Sequence, residues 1–211
     1  MPDPVCPNCG ITLKREPQRK SKCQACGQPI FVKYPPSDRK KRLMTAAQAT
    51  VVDAAWLDYH QDNRITEFCR LWGVDEAALR TGIHETGGNV DGVMETELRY
   101  ILATSPDLNA RAMAASTLAT AEGRRGGDFV PMLREHARLT LLRLPRQVIK
   151  RVEIRAGRCV RSSQLAGRVL TIEQALQEMP IPDPQCEAKS RDGRAGYCGC
   201  HYIPVIESLR S

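Results

Sequence analysis

The chain is short of aromatics, of histidine and of long apolar runs, and each shortage excludes something. Its 211 residues include three Phe, two Trp and five Tyr. Large aromatic anchors are scarce, so any core must be modest and mostly aliphatic. No apolar run approaches the ~18 residues that suggest a membrane span. The opening MPDPVCPNCG lacks the basic-then-apolar form of an export signal. A cytoplasmic protein with no membrane partner is therefore expected. The four histidines are His60, His84, His136 and His201. No HExxH, Walker loop, GxGxxG or GxSxG turn accompanies them. His84-Glu85 precedes a Gly-Gly loop, but no second carboxylate pair joins it. His136 in LREHARL reads as a residue on a solvated helix face. No residue is put forward as catalytic.

Cysteine is what the chain has in quantity. The nine cysteines fall into two fours and one leftover. Cys6, Cys9, Cys23 and Cys26 form two C-x2-C knuckles close together. Each tight turn aims two sulfurs at one ion, and the chain between folds back to bring the other pair. Without export, such pairs read as metal ligands rather than disulfides. They could also be dithiol switches, but two pairs at this spacing favour Zn2+. IFVKY after the second knuckle is a strand signal. The plan is that of a zinc ribbon over 1–34. So small a module cannot bury enough apolar area to fold alone, so the metal must stabilise it. Cys69, between Phe68 and Leu71 on a helix, reads as a buried small residue.

Charge is unevenly placed. Residues 1–42 carry ten Lys/Arg against three Asp/Glu, a balance of +7. Residues 43–145 stand at −4, residues 146–168 at +6 and residues 169–211 at −2. Both basic regions adjoin cysteines. They can offset the formal −2 of a four-thiolate zinc site, or they can meet a phosphate backbone.

Residues 35–44 (PPSDRKKRLM) read as a basic linker. Thr45 with Gln48 looks like a capping box that opens a helix through Asn63, and 64–83 read as two short helices around Trp72-Gly73-Val74. That spacing occurs in helix-turn-helix motifs, but an ordinary αα-hairpin is the simpler reading. Further helices follow ETGGN and Ser105-Pro106, with Ser105 as the expected cap. The last begins at FVPML. Together 45–145 are expected to form an all-α bundle. After Pro145 the pattern turns β-branched and alternating. QVIKRVEIRAG, GRVLTI and YCGCHYIPVI read as strands, and Thr171 starts a short helix. Residues 146–211 are thus expected as a small α+β module, and the whole chain as α+β.

Cys198-Gly-Cys200 brings two sulfurs together, with Cys186 and Cys159 upstream. These four are the expected second Zn2+ site, with His201 in reserve because it would point opposite Cys200. The stretch AGRCVRSSQLAGRVLTIEQALQEMPIPDPQC…YCGCHYIPV resembles the C-terminal segment of the head-morphogenesis (minor head) proteins of tailed phages and prophages. Cys159 matches the first cysteine of that pattern, 165–169 the turn, and Cys186, Cys198 and Cys200 the rest. Ser162 stands where the pattern has a further cysteine. CPNCG…KCQACGQPIFVKY also resembles a zinc-ribbon start found on phage-borne and bacterial proteins. The resemblance implies a structural stabiliser in a bacterial cytosol or phage particle, and it hands over no catalytic residues.

The expected role is binding: a two-zinc, non-enzymatic protein of phage type that contacts nucleic acid through the basic ribbon. Lys14, Arg15, Arg19, Lys20 and Lys22 would meet phosphates, with Arg39, Lys40, Lys41 and Arg42 extending the contact. DNA and RNA are both open. The ribbon itself offers no stacking surface beyond Phe31 and Tyr34. The alternative is a protein-assembly or adaptor module, in a phage particle or host complex, with zinc sites as staples. A metal-dependent nuclease would need an open metal position, and both sites read as closed.

Overall fold

The computed structural model describes residues 3–157, 160–185 and 198–206. The chain is α+β and divides into two units, Met1–Arg80 and Thr81–Ser211.

The first unit begins with the cysteine knuckles and a three-stranded antiparallel sheet of β1 (Ser21–Lys22), β2 (Pro29–Lys33) and β3 (Arg42–Met44), in that order. Phe31 pairs with Met44 and Lys33 with Arg42. The end of the expected linker is therefore a strand rather than a tether. A turn from Pro35 brings it back, closed by the Arg39 amide donating to the Pro35 carbonyl over 2.9 Å.

Helix α1 (Ala46–Trp72) follows. Thr45 Oγ1 accepts from the Gln48 amide and the Gln48 side chain accepts from the Thr45 amide, as the capping box requires. The helix runs 27 residues without a break. The polar stretch around Asn63-Arg64, expected as an interruption, contains no Gly or Pro and does not stop it. Gly73, at φ 65°, ends it in the left-handed conformation that glycine adopts freely. Asp75 then caps α2 (Glu76–Glu85) by accepting from the Ala78 amide. α1 buries Ala49, Val52, Ile65 and Cys69. Cys69 is thus a packing residue, and burial pushes its thiol up.

In the second unit, α3 (Val90–Thr104), α4 (Leu108–Arg124) and α5 (Val130–Arg143) pack as neighbours, with α4 in contact with both others. Ala112, Ala114, Ala115 and Ala119 of α4 are buried, and their small side chains let helix backbones approach closely. The cap of α4 is Asp107, not Ser105. Ser105 instead ends α3, and its hydroxyl accepts from the Asp107 amide. His136 is not on a solvated face either. It is half-buried, and its Nδ1–H donates to the Ala112 carbonyl over 2.8 Å, tying α5 to α4.

The C-terminal sheet has β4 (Arg151–Arg155) between β5 (Val169–Thr171) and β6 (His201–Val205), all antiparallel. The expected strands and the short helix α7 (Ile172–Glu178), capped by a Thr171–Gln174 box, are all present. A one-turn helix, α6 (Val160–Ser163), lies between β4 and β5. Val152, Ile154, Leu170, Ile172, Ile181 and Tyr202 form the core here, joined by Leu141 from α5. Among the described residues no helix is long and apolar enough to cross a membrane.

Candidate metal centre and basic surface

The two N-terminal knuckles are built the same way. In the first, the Cys6 amide donates to the Ile11 carbonyl and the Gly10 amide to the Cys6 carbonyl, both over 2.8 Å. In the second, the Cys23 amide donates to Gln28 and the Gly27 amide to Cys23, both over 2.9 Å. Gly10 and Gly27 sit at φ 73° and 71°, where a Cβ would be strained. This loop turns each pair of cysteines inward. Asn8 fastens the first knuckle to β2 by donating to the Pro29 carbonyl at 3.0 Å, and the same amide points at Cys6 Sγ, 4.0 Å away.

The knuckles converge. The four Sγ atoms of Cys6, Cys9, Cys23 and Cys26 all lie within 4.8 Å of one another. Cys6 and Cys26 sulfurs are 3.9 Å apart, as are those of Cys9 and Cys23. A tetrahedron with Zn–S near 2.3 Å has sulfur–sulfur edges of about 3.8 Å, whereas a disulfide would need roughly 2.05 Å. The four cysteines are therefore positioned to hold a metal ion, and a tetrahedral, thiophilic one fits.

Electrostatics in the cluster agree. Burial raises the Cys6 thiol, but the amides of Asn8 and Cys9 and the neighbouring sulfurs outweigh it and bring the thiol down to about 6. At Cys9 the Ile11 amide favours the thiolate, yet desolvation and the sulfurs of Cys26, Cys6 and Cys23 push it up to about 12. Burial and the hydrogen bonds shared among the sulfurs thus drive the acidities of these two thiols apart. A divalent ion would favour the thiolate at both.

The expected phosphate contacts divide into two sets. Lys14, Arg15, Arg19, Lys20 and Lys22 are all exposed. Lys20 lies over the Phe31 ring at 4.7 Å. Arg39 and Lys40 are also exposed. Lys41 is already engaged by Glu16 at 3.1 Å and Gln18 at 3.0 Å, and Arg42 pairs with Asp38. Among the described residues, the side-chain donor to these sulfurs from outside the cysteines is the neutral Asn8 amide.

At the other end, Cys159 and Cys186 lie outside the described residues. Cys198 and Cys200 are half-buried beside the start of β6. Cys200 Sγ accepts from the Gly157 amide at 3.3 Å and lies 3.0 Å from Ser162 Oγ. Cys198, then the Ser162 hydroxyl, the Gly157 amide and His201 bring the Cys200 thiol down to about 5, against burial that raises it. Ser162 is buried. The position where the resembled pattern has a cysteine thus falls against Cys200. His201 is exposed and turns its ring to the Gly199 carbonyl, 3.0 Å away.

One cluster went unread in the sequence. Trp56 and His60, one turn apart on α1, stack with centroids 5.3 Å apart, and Tyr59 lies edge-on to Trp56 at 5.4 Å. Trp56 Nε1 donates to the Tyr34 carbonyl at 2.7 Å, and the Arg39 guanidinium donates to Tyr59 Oη at 3.3 Å. Asn63 and Arg39 hold the Tyr59 hydroxyl below its ordinary range. Trp56, Tyr59 and His60 stand at i, i+3 and i+4, so all three fall on one side of α1.

Compared with family models, curated proteins and solved structures, the chain matches none.

Proposed function

We propose that this is a zinc-binding, non-enzymatic protein whose N-terminal zinc ribbon contacts nucleic acid through its basic surface. The supporting observation is where the cations are. Lys14, Arg15, Arg19, Lys20 and Lys22 project into solvent, and none of them donates to the cysteine sulfurs among the described residues. Compensation by ion pairing would place ammonium or guanidinium groups in contact with the sulfurs, and the side-chain contact the described residues make there from outside the cysteines is the neutral Asn8 amide. Five exposed cations on one small module instead suit a polyanion.

Zn2+ is the metal of this reading, held by Cys6, Cys9, Cys23 and Cys26 as a closed, structural site. A second site would use Cys198 and Cys200 with Cys159 and Cys186. The phage-type character belongs to the same proposal and rests on the sequence resemblance.

The test is a salt titration of affinity for duplex and single-stranded oligonucleotides. About five phosphate contacts give a log–log slope near −4 to −5 on duplex and somewhat less on single strands. The variant Arg19→Glu/Lys20→Glu/Lys22→Glu should cut affinity steeply and flatten the slope, with metal content unchanged. Affinity that is flat in salt, or indifferent to these reversals, rejects the reading. In that case the assembly-module alternative, with zinc as a staple, takes its place.

A further inference from the structure

We infer that Tyr34, Arg39, Trp56, Tyr59 and His60 form a stacking platform that binds unpaired bases, so that the polyanion is a single-stranded nucleic acid. This rests on the nucleic-acid reading above and narrows it to one class of ligand.

The chain has ten Phe, Trp and Tyr residues in all. One tyrosine and one of the two tryptophans pack here with an exposed histidine, and Tyr34, whose ring is also exposed, joins them through its backbone carbonyl. Their geometry is fixed rather than casual. Trp56 is tied to the end of β2 through the Tyr34 carbonyl. His60 lies over Trp56 with the rings inclined by only 26°, and its own ring is exposed. Tyr34 is 48% exposed although it is large and apolar-bodied. A core-forming cluster would bury these rings. Here Trp56 and Tyr59 are only half-buried and His60 and Tyr34 are exposed, and leaving rings in water has no packing benefit.

The polar half of the platform is Arg39. It is one of two described non-glycine residues at positive φ, 54°. The turn from Pro35 holds it there, and its guanidinium reaches Tyr59 Oη. Two acids of this unit are paired with other cations: Asp38 with Arg42 and Asp53 with Lys33. Arg39, which is exposed, therefore presents charge beside the Tyr59 ring. Such a combination suits an extended strand: bases stack on rings, phosphates meet cations. A duplex keeps its base faces inside its own stack and cannot use the rings. An acidic peptide could use the cations but gains little from flat aromatic faces.

The experiment uses the metal-loaded full chain carrying Trp72→Phe, which leaves Trp56 as the sole tryptophan. Its fluorescence is followed on adding a twelve-residue oligothymidylate, the matching oligouridylate, a duplex of equal length, or polyglutamate. The platform variants are His60→Ala and Tyr34→Ala. Both remove exposed rings and leave the Trp56 hydrogen bond, which ends on the Tyr34 backbone. Circular dichroism and metal content confirm that they fold. Single strands should quench Trp56 and bind at least several-fold tighter than duplex. Each platform variant should weaken single-strand binding roughly ten-fold with the salt slope kept, because stacking is not ionic. Equal binding of duplex and single strand, unaffected by His60→Ala and Tyr34→Ala but still steep in salt, overturns the platform and leaves the basic-surface reading standing. Quenching by polyglutamate as strong as by oligothymidylate also overturns it. Single-strand binding that is flat in salt but sensitive to His60→Ala keeps the platform and rejects the electrostatic reading. Absence of binding to every oligonucleotide rejects both.

Discussion

Removing the metal from the four-cysteine centre should unfold the N-terminal knuckles while the helices of the second unit stay folded. The magnitude follows from what is buried around the sulfurs. The core there consists of Cys6, Cys23 and Ile30, with Leu13, Cys26 and Leu43 packed partly against it. Ile30 is the one fully buried large aliphatic in that group, and burying such a side chain contributes about 1.5–3 kcal/mol. A structural zinc site contributes on the order of 10–16 kcal/mol in small metal-dependent modules. That is comparable to the whole ~5–15 kcal/mol that keeps a domain folded, so the loss cannot be absorbed locally. The assay is amide exchange, read residue by residue, before and after chelation under reducing conditions, with metal content measured in parallel. Amides of Cys6, Gly10, Cys23 and Gly27, all hydrogen-bonded in the knuckles, should lose protection. Those of α4 and α5 should keep it. Cys23→Ser should act like the chelator, and Cys69→Ser should not release metal. Knuckle amides that stay protected in chain shown to be metal-free would refute the reasoning, because then packing alone would be holding the loops.

Gly157→Ala should destabilise the C-terminal sheet by about 1–3 kcal/mol, read as a lower melting temperature. A Cβ there would come within 2.8 Å of the Gly199 carbonyl carbon and 3.0 Å of the Cys200 nitrogen, both backbone atoms with nowhere to go. Gly199→Ala is the control, since its Cβ meets only the Gly157 Cα at 3.4 Å. Tyr202 is buried and its phenol is pushed up to about 12 by desolvation. The unfolded chain ionises near pH 10 while the folded one holds its proton, so stability is lost as pH rises from 10 towards 12, by about 3 kcal/mol. Tyr202→Phe should flatten that part of the pH–stability curve, and an unchanged curve would count against the assignment. Thr45→Ala should cost ~1 kcal/mol through loss of the capping box, seen as faster amide exchange in the first turn of α1 and unaltered metal content.

How far the sequence could be read depended on how local each cause was. The N-terminal metal centre was legible because both knuckles are short-range structures and their spacing carries the ligand geometry. The strands β2, β4, β5 and β6 and the Thr45 cap were legible for the same reason. The length of α1 was not, because a polar stretch resembles a break until one notices that nothing in it terminates a helix. Ser105 and Asp107 are both good capping residues two positions apart, and the choice between them is made by where α3 ends, a tertiary matter. His136 looked like a surface residue because the carbonyl it bonds lies 24 positions away.

The aromatic platform shows the same limit where it matters most for function. Tyr34 and Arg39 come from a turn after β2, and Trp56, Tyr59 and His60 from a helix twenty residues on. Pattern alone assigns a ring-bearing stripe on a helix to the core, since that is where such a stripe most often goes. What the pattern does not carry is that Trp56 is anchored to the Tyr34 carbonyl just after β2 while His60 and Tyr34 remain in water. A residue pattern can specify that a face is apolar. Only the packed neighbours specify whether anything covers it, and here His60 stays exposed while Arg39 reaches the hydroxyl of Tyr59 beside it.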